Sequence, residues 1–154
     1  MKRLLLCLAL LAAAGCAKKD PAPAAPAHHE HVAPHGGTAV VLGAELYHLE
    51  LVRDATAGRL TAYVLDGEME NFVRVNTPSF EVIAAPNGHP QSLRFTPVAN
   101  SSTGETLTDT SQFEAQADWL KSTAIFDATL MRLEIRGTVF TAVPFNFPRG
   151  NDRD

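Results

Sequence analysis

An all-β fold is what this sequence predicts: an antiparallel β-sandwich of about seven or eight strands, with a closed barrel as the alternative that strand number alone does not separate. Three observations carry the prediction. Short segments of alternating apolar and polar residues recur along residues 38–147. Gly, Pro, Asn and Asp punctuate them at even intervals, and almost nothing between has a helical period. The span is about 110 residues, one domain's worth of chain, and it contains no internal repeat.

Thr38–Leu42 opens the series. In Tyr47-His48-Leu49-Glu50-Leu51-Val52-Arg53, Tyr47, Leu49 and Leu51 share one face and His48, Glu50 and Val52 the other, the pattern of a half-buried strand. Asp54–Gly58 turns the chain, and Leu60–Leu65 returns it. Pairing Arg53 with Arg59 across that turn sets His48 opposite Val64, with Asp66 as its diagonal neighbour, within reach of long side chains or a bridging ion. Asp66-Gly67 begins the next turn. Phe72–Val75, Phe80–Ala84 and Leu93–Val98 are the next strands, the last two separated by Pro86-Asn87-Gly88. Asp118–Lys121 reads as one helical turn capped by Asp118, with Trp119 over the edge of the core. A long strand follows over Ile125–Ile135, and Val139–Phe147 closes the fold. In the long strand Phe126, Ala128 and Leu130 keep one phase, whereas Leu133 and Ile135 keep the other. One extra residue near Met131-Arg132 produces that shift, so a β-bulge is expected there.

The beginning of the chain is of a different kind. Met1-Lys2-Arg3 is a positive n-region, and Leu4–Ala14 is an apolar run too short to span a bilayer as a helix. Residues 1–15 therefore read as a signal peptide. Ala13-Ala14-Gly15 directly before Cys16 resembles a bacterial lipobox, which implies cleavage before Cys16 and acylation of that residue. Ala17 follows the cysteine, an arrangement that implies sorting to the outer membrane where one exists. Residues 16–34 form a Pro-, Ala- and His-rich stretch, expected as a disordered, extended linker that holds the body off the bilayer. Residues 35–148 are the β domain and residues 149–154 a polar tail.

The chain carries 13 Lys and Arg against 17 Asp and Glu, a net charge of −4. Removing residues 1–15 takes away Lys2 and Arg3 and makes the balance more acidic. Such a balance argues against nucleic acid as a partner, since affinity there rests on neutralised phosphates. Cys7 leaves with the signal and Cys16 takes the lipid. That excludes thiolate metal sites, disulfides and thiol nucleophiles from the mature body. Ser111, Asp127 and His48 make a triad only on paper, because no nucleophile elbow accompanies them. The chain is not expected to be an enzyme.

Histidine is the informative residue. His28, His29, His31 and His35 fall within eight residues, with Glu30 among them, just before Gly36-Gly37. Neutral imidazole is the commonest metal ligand, and it suits Cu²⁺ and Zn²⁺. Such capture is lost as imidazoles protonate, below about pH 6. The alternative is a solvated tether that is merely rich in histidine. His48, on a predicted strand, is the candidate fixed ligand, oriented by Asp66 and completed by the 35–37 segment folding back. Its plainer role is a hydrogen bond to a carboxylate or a backbone carbonyl. His89, in an Asn-Gly-His-Pro turn, is expected at the surface.

His35-Gly36-Gly37, Tyr47–Leu51 and Leu60–Asp66, with Asp118–Lys121 and Phe126–Leu130 further on, resemble small bacterial HGG-type periplasmic lipoproteins. They are similar also to the N-terminal module of some heavy-metal efflux adaptors of the CzcB/CusB kind. The resemblance spans most of residues 35–147. It implies a periplasmic, metal-associated β domain with His35 and His48 as the matching histidines. The expected function is thus a lipid-anchored periplasmic protein that binds a divalent transition metal, Cu²⁺ or Zn²⁺. It would buffer the ion or hand it to an efflux or envelope protein. The alternative is a structural or interaction module of the envelope with no metal role.

Overall fold

Alternation of apolar residues builds the architecture. In a computed structural model of the protein, which describes residues 32–152, eight antiparallel strands form one sheet curled into a nearly closed barrel. The strands are β1 (Thr38–Leu42), β2 (Tyr47–Asp54), β3 (Arg59–Asp66), β4 (Phe80–Ala85), β5 (Gln91–Pro97), β6 (Gln112–Gln116), β7 (Phe126–Ile135) and β8 (Thr138–Phe147). Their order across the sheet is β1-β2-β3-β6-β5-β4-β7-β8. The all-β antiparallel fold stands, and of the two arrangements left open the single curled sheet is the one adopted. The expected signal peptide, Cys16 and the histidines at 28, 29 and 31 lie outside the described residues.

One face of every strand points inward. Val40, Leu42, Leu49, Leu51, Leu60 and Val64 from the first three strands meet Val82, Leu93, Phe95, Phe113, Leu130 and Leu133 from the others, all essentially without solvent contact. Each such side chain contributes roughly 1.5–3 kcal/mol on leaving water. Phe80 anchors the centre, stacked on Phe95 at 4.7 Å and edge-on to Phe113 at 5.2 Å. At one end Trp119 meets Phe126 edge-on at 5.0 Å, and Phe126 stacks on Phe147 at 5.1 Å.

The bulge falls where the change of phase requires it. Val82 pairs with Leu130 and Glu81 with Arg132, so Met131 is the extra residue on β7. Across the hairpin, Ala142 on β8 is likewise skipped and takes a positive φ of 51°.

Three local expectations are corrected. Phe72–Val75 is not a strand. It crosses the sheet where β3 gives way to β6 and makes only the single bridges Leu65–Phe72 and Val75–Thr110. The strand that pairs with β3 is β6, whose Gln-Phe-Glu-Ala-Gln carries too little apolar content to stand out. The 118–121 turn is a 3-10 helix whose cap position is Ala117. Asp118 sits inside the turn and binds Lys121 Nζ at 2.8 Å. Finally, β2 pairs with β3 through Asp54–Arg59, one residue off the expected register. The cause is local: Asp54 Oδ1 accepts the N–H groups of Thr56 and Ala57, and its Oδ2 accepts from Arg59, so Asp54 closes the hairpin.

The seam between β1 and β8 is sealed by the chain after β8. Asn151 Oδ1 accepts the Val41 N–H at 2.7 Å, and its Nδ2 donates to the Val41 carbonyl at 3.2 Å, standing in for a neighbouring strand. Thr38 Oγ1 donates to the Pro148 carbonyl at 3.1 Å. A Cβ on Gly150 would collide with the Ala39 carbonyl, so only glycine passes there. Gly150 and Asn151, assigned by composition to a polar tail, thus pack on the first strand.

Candidate functional site

Glu50 organises the site. It lies in β2 between Leu49 and Leu51, which enter the core, so alternation turns its carboxylate to the outside of the sheet. Yet Glu50 is fully buried, because residues 35–37 run across it. A buried carboxylate is tolerated when hydrogen bonds replace its lost hydration. Glu50 Oε1 accepts the backbone N–H of His35 at 2.7 Å and that of Gly37 at 2.9 Å. Glu50 Oε2 faces His35 Nδ1 at 2.8 Å.

The two glycines make this approach feasible. Ala33, Pro34, His35 and Gly36 form a turn closed by the Gly36 N–H on the Ala33 carbonyl at 2.9 Å, with proline in its favoured second position. Gly36 then takes a φ of 66°. At Gly37 there is no room for a side chain: a Cβ would stand 2.6 Å from the Leu51 carbonyl and 2.8 Å from Glu50 Cγ. The glycine pair thus turns the chain sharply and seats it on Glu50.

Aromatic rings hold the imidazole from the sides. Tyr63, the cross-strand partner of Glu50, stacks on His35 with centroids 4.0 Å apart and planes 15° apart. Phe72 leans in at 5.7 Å and is itself 48% exposed. Burial, together with the charges of Glu50 and Glu114, raises the Tyr63 phenol above its ordinary pKa. It therefore stays a neutral ring beside the imidazole. The His35 side chain keeps 38% exposure, so it is held yet reachable. With a carboxylate facing Nδ1, the proton of the neutral ring belongs there, and Nε2 presents its lone pair.

His48 is placed differently. It lies two positions before Glu50 in β2, pairs with Leu65 and is fully buried. Its Nδ1 stands 3.2 Å from the Asp66 backbone carbonyl. The one-residue change of register brings Asp66 opposite Tyr47, so the expected side-chain partnership of His48 with Asp66 gives way to one with the Asp66 backbone. The Asp66 carboxylate instead gathers the N–H groups of Glu70 and Asn71 and the Asn71 side-chain amide at 2.7–3.2 Å. Burial works to raise its pKa, but these bonds and the nearby His48 outweigh it and hold the pKa low. Leu65 and Met69, buried apart from the main core cluster, fill the space near this loop.

The described residues thus bring His35 together with Glu50, Tyr63 and Phe72, and hold His48 nearby in the same strand as Glu50. Among the described residues no group of three or more His, Cys, Asp or Glu side chains converges as a metal site. Glu50 and the two aromatic residues were not singled out from the sequence. The signal for Glu50 was a carboxylate on the outer phase of a strand whose paired residue, Tyr63, is aromatic, shortly after a His-Gly-Gly. The chain matches no protein-family model, no curated protein and no solved structure.

Proposed function

We propose that this chain is a lipid-anchored protein of the bacterial periplasm that binds a divalent transition metal, Cu²⁺ or Zn²⁺, and buffers it or passes it to an efflux or envelope partner. One observation carries the reading: His35 is a carboxylate-oriented imidazole, gripped by buried Glu50 through Nδ1 and reachable from solvent. Metal-binding histidines characteristically donate their second ring N–H to a carboxylate, which fixes tautomer and direction and raises basicity.

One histidine does not make a site. In this reading the remaining donors are His28, His29 and His31, with Glu30 as an oxygen donor. His31 precedes His35 by four residues, a span that covers at most about 14 Å when extended. Seating His35 on the barrel would spare part of the entropy that a free peptide loses on wrapping an ion. His48, enclosed against the Asp66 carbonyl, serves the scaffold. The lipobox at Cys16 and the 16–34 linker supply the anchor and its reach. Without a metal role the chain would be the structural or interaction module of the envelope, and the same clip would serve only as a mechanical anchor for its linker.

Calorimetric titration with Cu²⁺ and Zn²⁺ tests the proposal on the wild type, on His35→Ala and on a variant with His28, His29 and His31 replaced by alanine. Both variants are expected to bind at least tenfold more weakly. Wild-type affinity no better than that of a scrambled peptide of equal histidine content would leave only the mechanical anchor.

A further inference from the structure

Positive charge is concentrated at one place on an acidic protein. A groove of about 910 Å³ runs beside the 74–79 segment and the outer faces of β4, β5 and β7, and Arg74, Arg94, Arg132 and Arg136 line it against two acids, Glu81 and Glu134. These are half of all Lys and Arg side chains in the described residues. The lining therefore has a surplus of two positive charges in a chain whose net charge is −4.

Two of the four guanidiniums are already engaged. Arg74 binds Asp109 at 3.3 Å and the Thr103 carbonyl at 2.5 Å and pairs with Glu105 at 4.0 Å, and Arg132 binds Glu134 at 3.2 Å. Arg94 and Arg136 have no hydrogen-bond or ion-pair partner among the described residues. Arg94 stands beside Glu81 in the register, but the Glu81 carboxylate is taken by the Ser92 hydroxyl.

Arg136 is unusual in its backbone as well. With Gly137 it forms the two-residue turn between β7 and β8, at φ of 48° and 85°. The first position of such a turn favours Asn, Asp or Gly, because the left-handed region crowds a Cβ. An arginine there points to a use for its guanidinium. Beside these cations lies an apolar wall that includes Met131, the bulge residue, 42% exposed.

We propose that this groove binds the phosphomonoester group of an amphiphilic ligand, with Arg94 and Arg136 as its principal contacts. Guanidinium groups pair with phosphate oxygens in bidentate fashion. A phosphomonoester carries about −1.5 to −2 charge at neutral pH, which the two unengaged guanidiniums, Arg94 and Arg136, can meet. The apolar wall accepts the body of the ligand, and the volume suits a small molecule. This site is separate from the His35 site and does not depend on metal binding.

The full chain carrying Cys16→Ser, and so unacylated, is titrated with monomeric dihexanoyl phosphatidic acid and, as a control, dihexanoyl phosphatidylcholine. Sedimentation with phosphatidylcholine vesicles, with and without phosphatidic acid, forms the second arm. Binding of the phosphomonoester and not of phosphatidylcholine is expected. Arg94→Gln and Arg136→Asn should each weaken it about tenfold, the effect of one charge-assisted hydrogen bond. Lys121→Gln, the same loss of charge away from the groove, should leave it unchanged. Because asparagine suits the turn, Arg136→Asn should also raise the melting temperature, which separates lost binding from lost folding. Arginine-dependent binding of the monomer identifies a free ligand, and arginine-dependent binding of vesicles alone identifies a lipid surface; either sustains the site. No binding in either arm, or binding weakened equally by Lys121→Gln, overturns it.

Discussion

Glu50→Gln changes the charge of the organising group while keeping its shape, and its outcome follows atom by atom. The amide oxygen can retain the Oε1 position and accept the His35 and Gly37 N–H groups, at 2.7 and 2.9 Å in the wild type. That leaves an NH₂ where Oε2 now faces His35 Nδ1 at 2.8 Å. Two donors cannot face each other, so the imidazole proton moves to Nε2 and Nδ1 becomes the acceptor. Three charge-assisted bonds become neutral ones, each losing up to about 1 kcal/mol of net strength. A destabilisation of about 1–2 kcal/mol is expected, which a small domain registers as a fall of several degrees in Tm. The larger effect concerns metal binding. With its proton on Nε2, His35 no longer offers a lone pair to an incoming ion, and loss of an orienting partner of this kind typically costs 10–100-fold in affinity. Long-range ¹H–¹⁵N spectra report the tautomer directly, and calorimetry on the same sample reports the ion. A His35 ring that keeps its proton on Nδ1 in the variant, or Cu²⁺ and Zn²⁺ affinity within twofold of wild type, would refute the reasoning.

Two further outcomes follow from the geometry. Gly37→Ala sets a methyl group 2.6 Å from the Leu51 carbonyl; it should lift residues 35–37 off Glu50, cost about 1–3 kcal/mol and speed protease cleavage at the start of the domain, whereas unchanged cleavage would show the clip to be dispensable. Burial works to raise the Glu105 pKa, but the Ser111 and Thr103 hydroxyls, the Ser111 N–H and nearby Arg74 outweigh it and lower it. Its contribution to stability is therefore complete above the ordinary glutamate range and disappears as pH falls through the lower folded value. Acid titration of wild type and Glu105→Gln, followed by circular dichroism, should show a stability difference near neutrality that closes across that window, and a difference constant with pH would contradict it.

What could be read from the chain, and what could not, divides along physical lines. The strands around Leu49–Leu51, Leu60–Val64 and Phe126–Ile135 bury one face, and a period of two is visible in any sequence that does so. The Met131 bulge was legible for the same reason, since an inserted residue must invert the phase. β6 was not, because Phe113 and Ala115 alone carry its inward face. The register of β2 on β3 was missed by one residue because Asp54 acts within the turn, and that one step set the Asp66 side chain opposite Tyr47 and left its backbone carbonyl facing the His48 ring. His35 was legible as a candidate from its neighbours in the sequence. Its partners Glu50 and Tyr63 were not, since nothing local shows that an outward-facing carboxylate will be roofed by a segment from elsewhere in the chain.

The amide of Asn151 has a practical implication for anyone handling this protein. Because it occupies the hydrogen-bonding groups of Val41 that a ninth strand would otherwise take, trimming the chain after Phe147 would uncover a raw strand margin. Uncovered margins of that sort recruit one another between molecules. A shortened version should gather into multimers on standing, while one that retains the final residues stays dispersed.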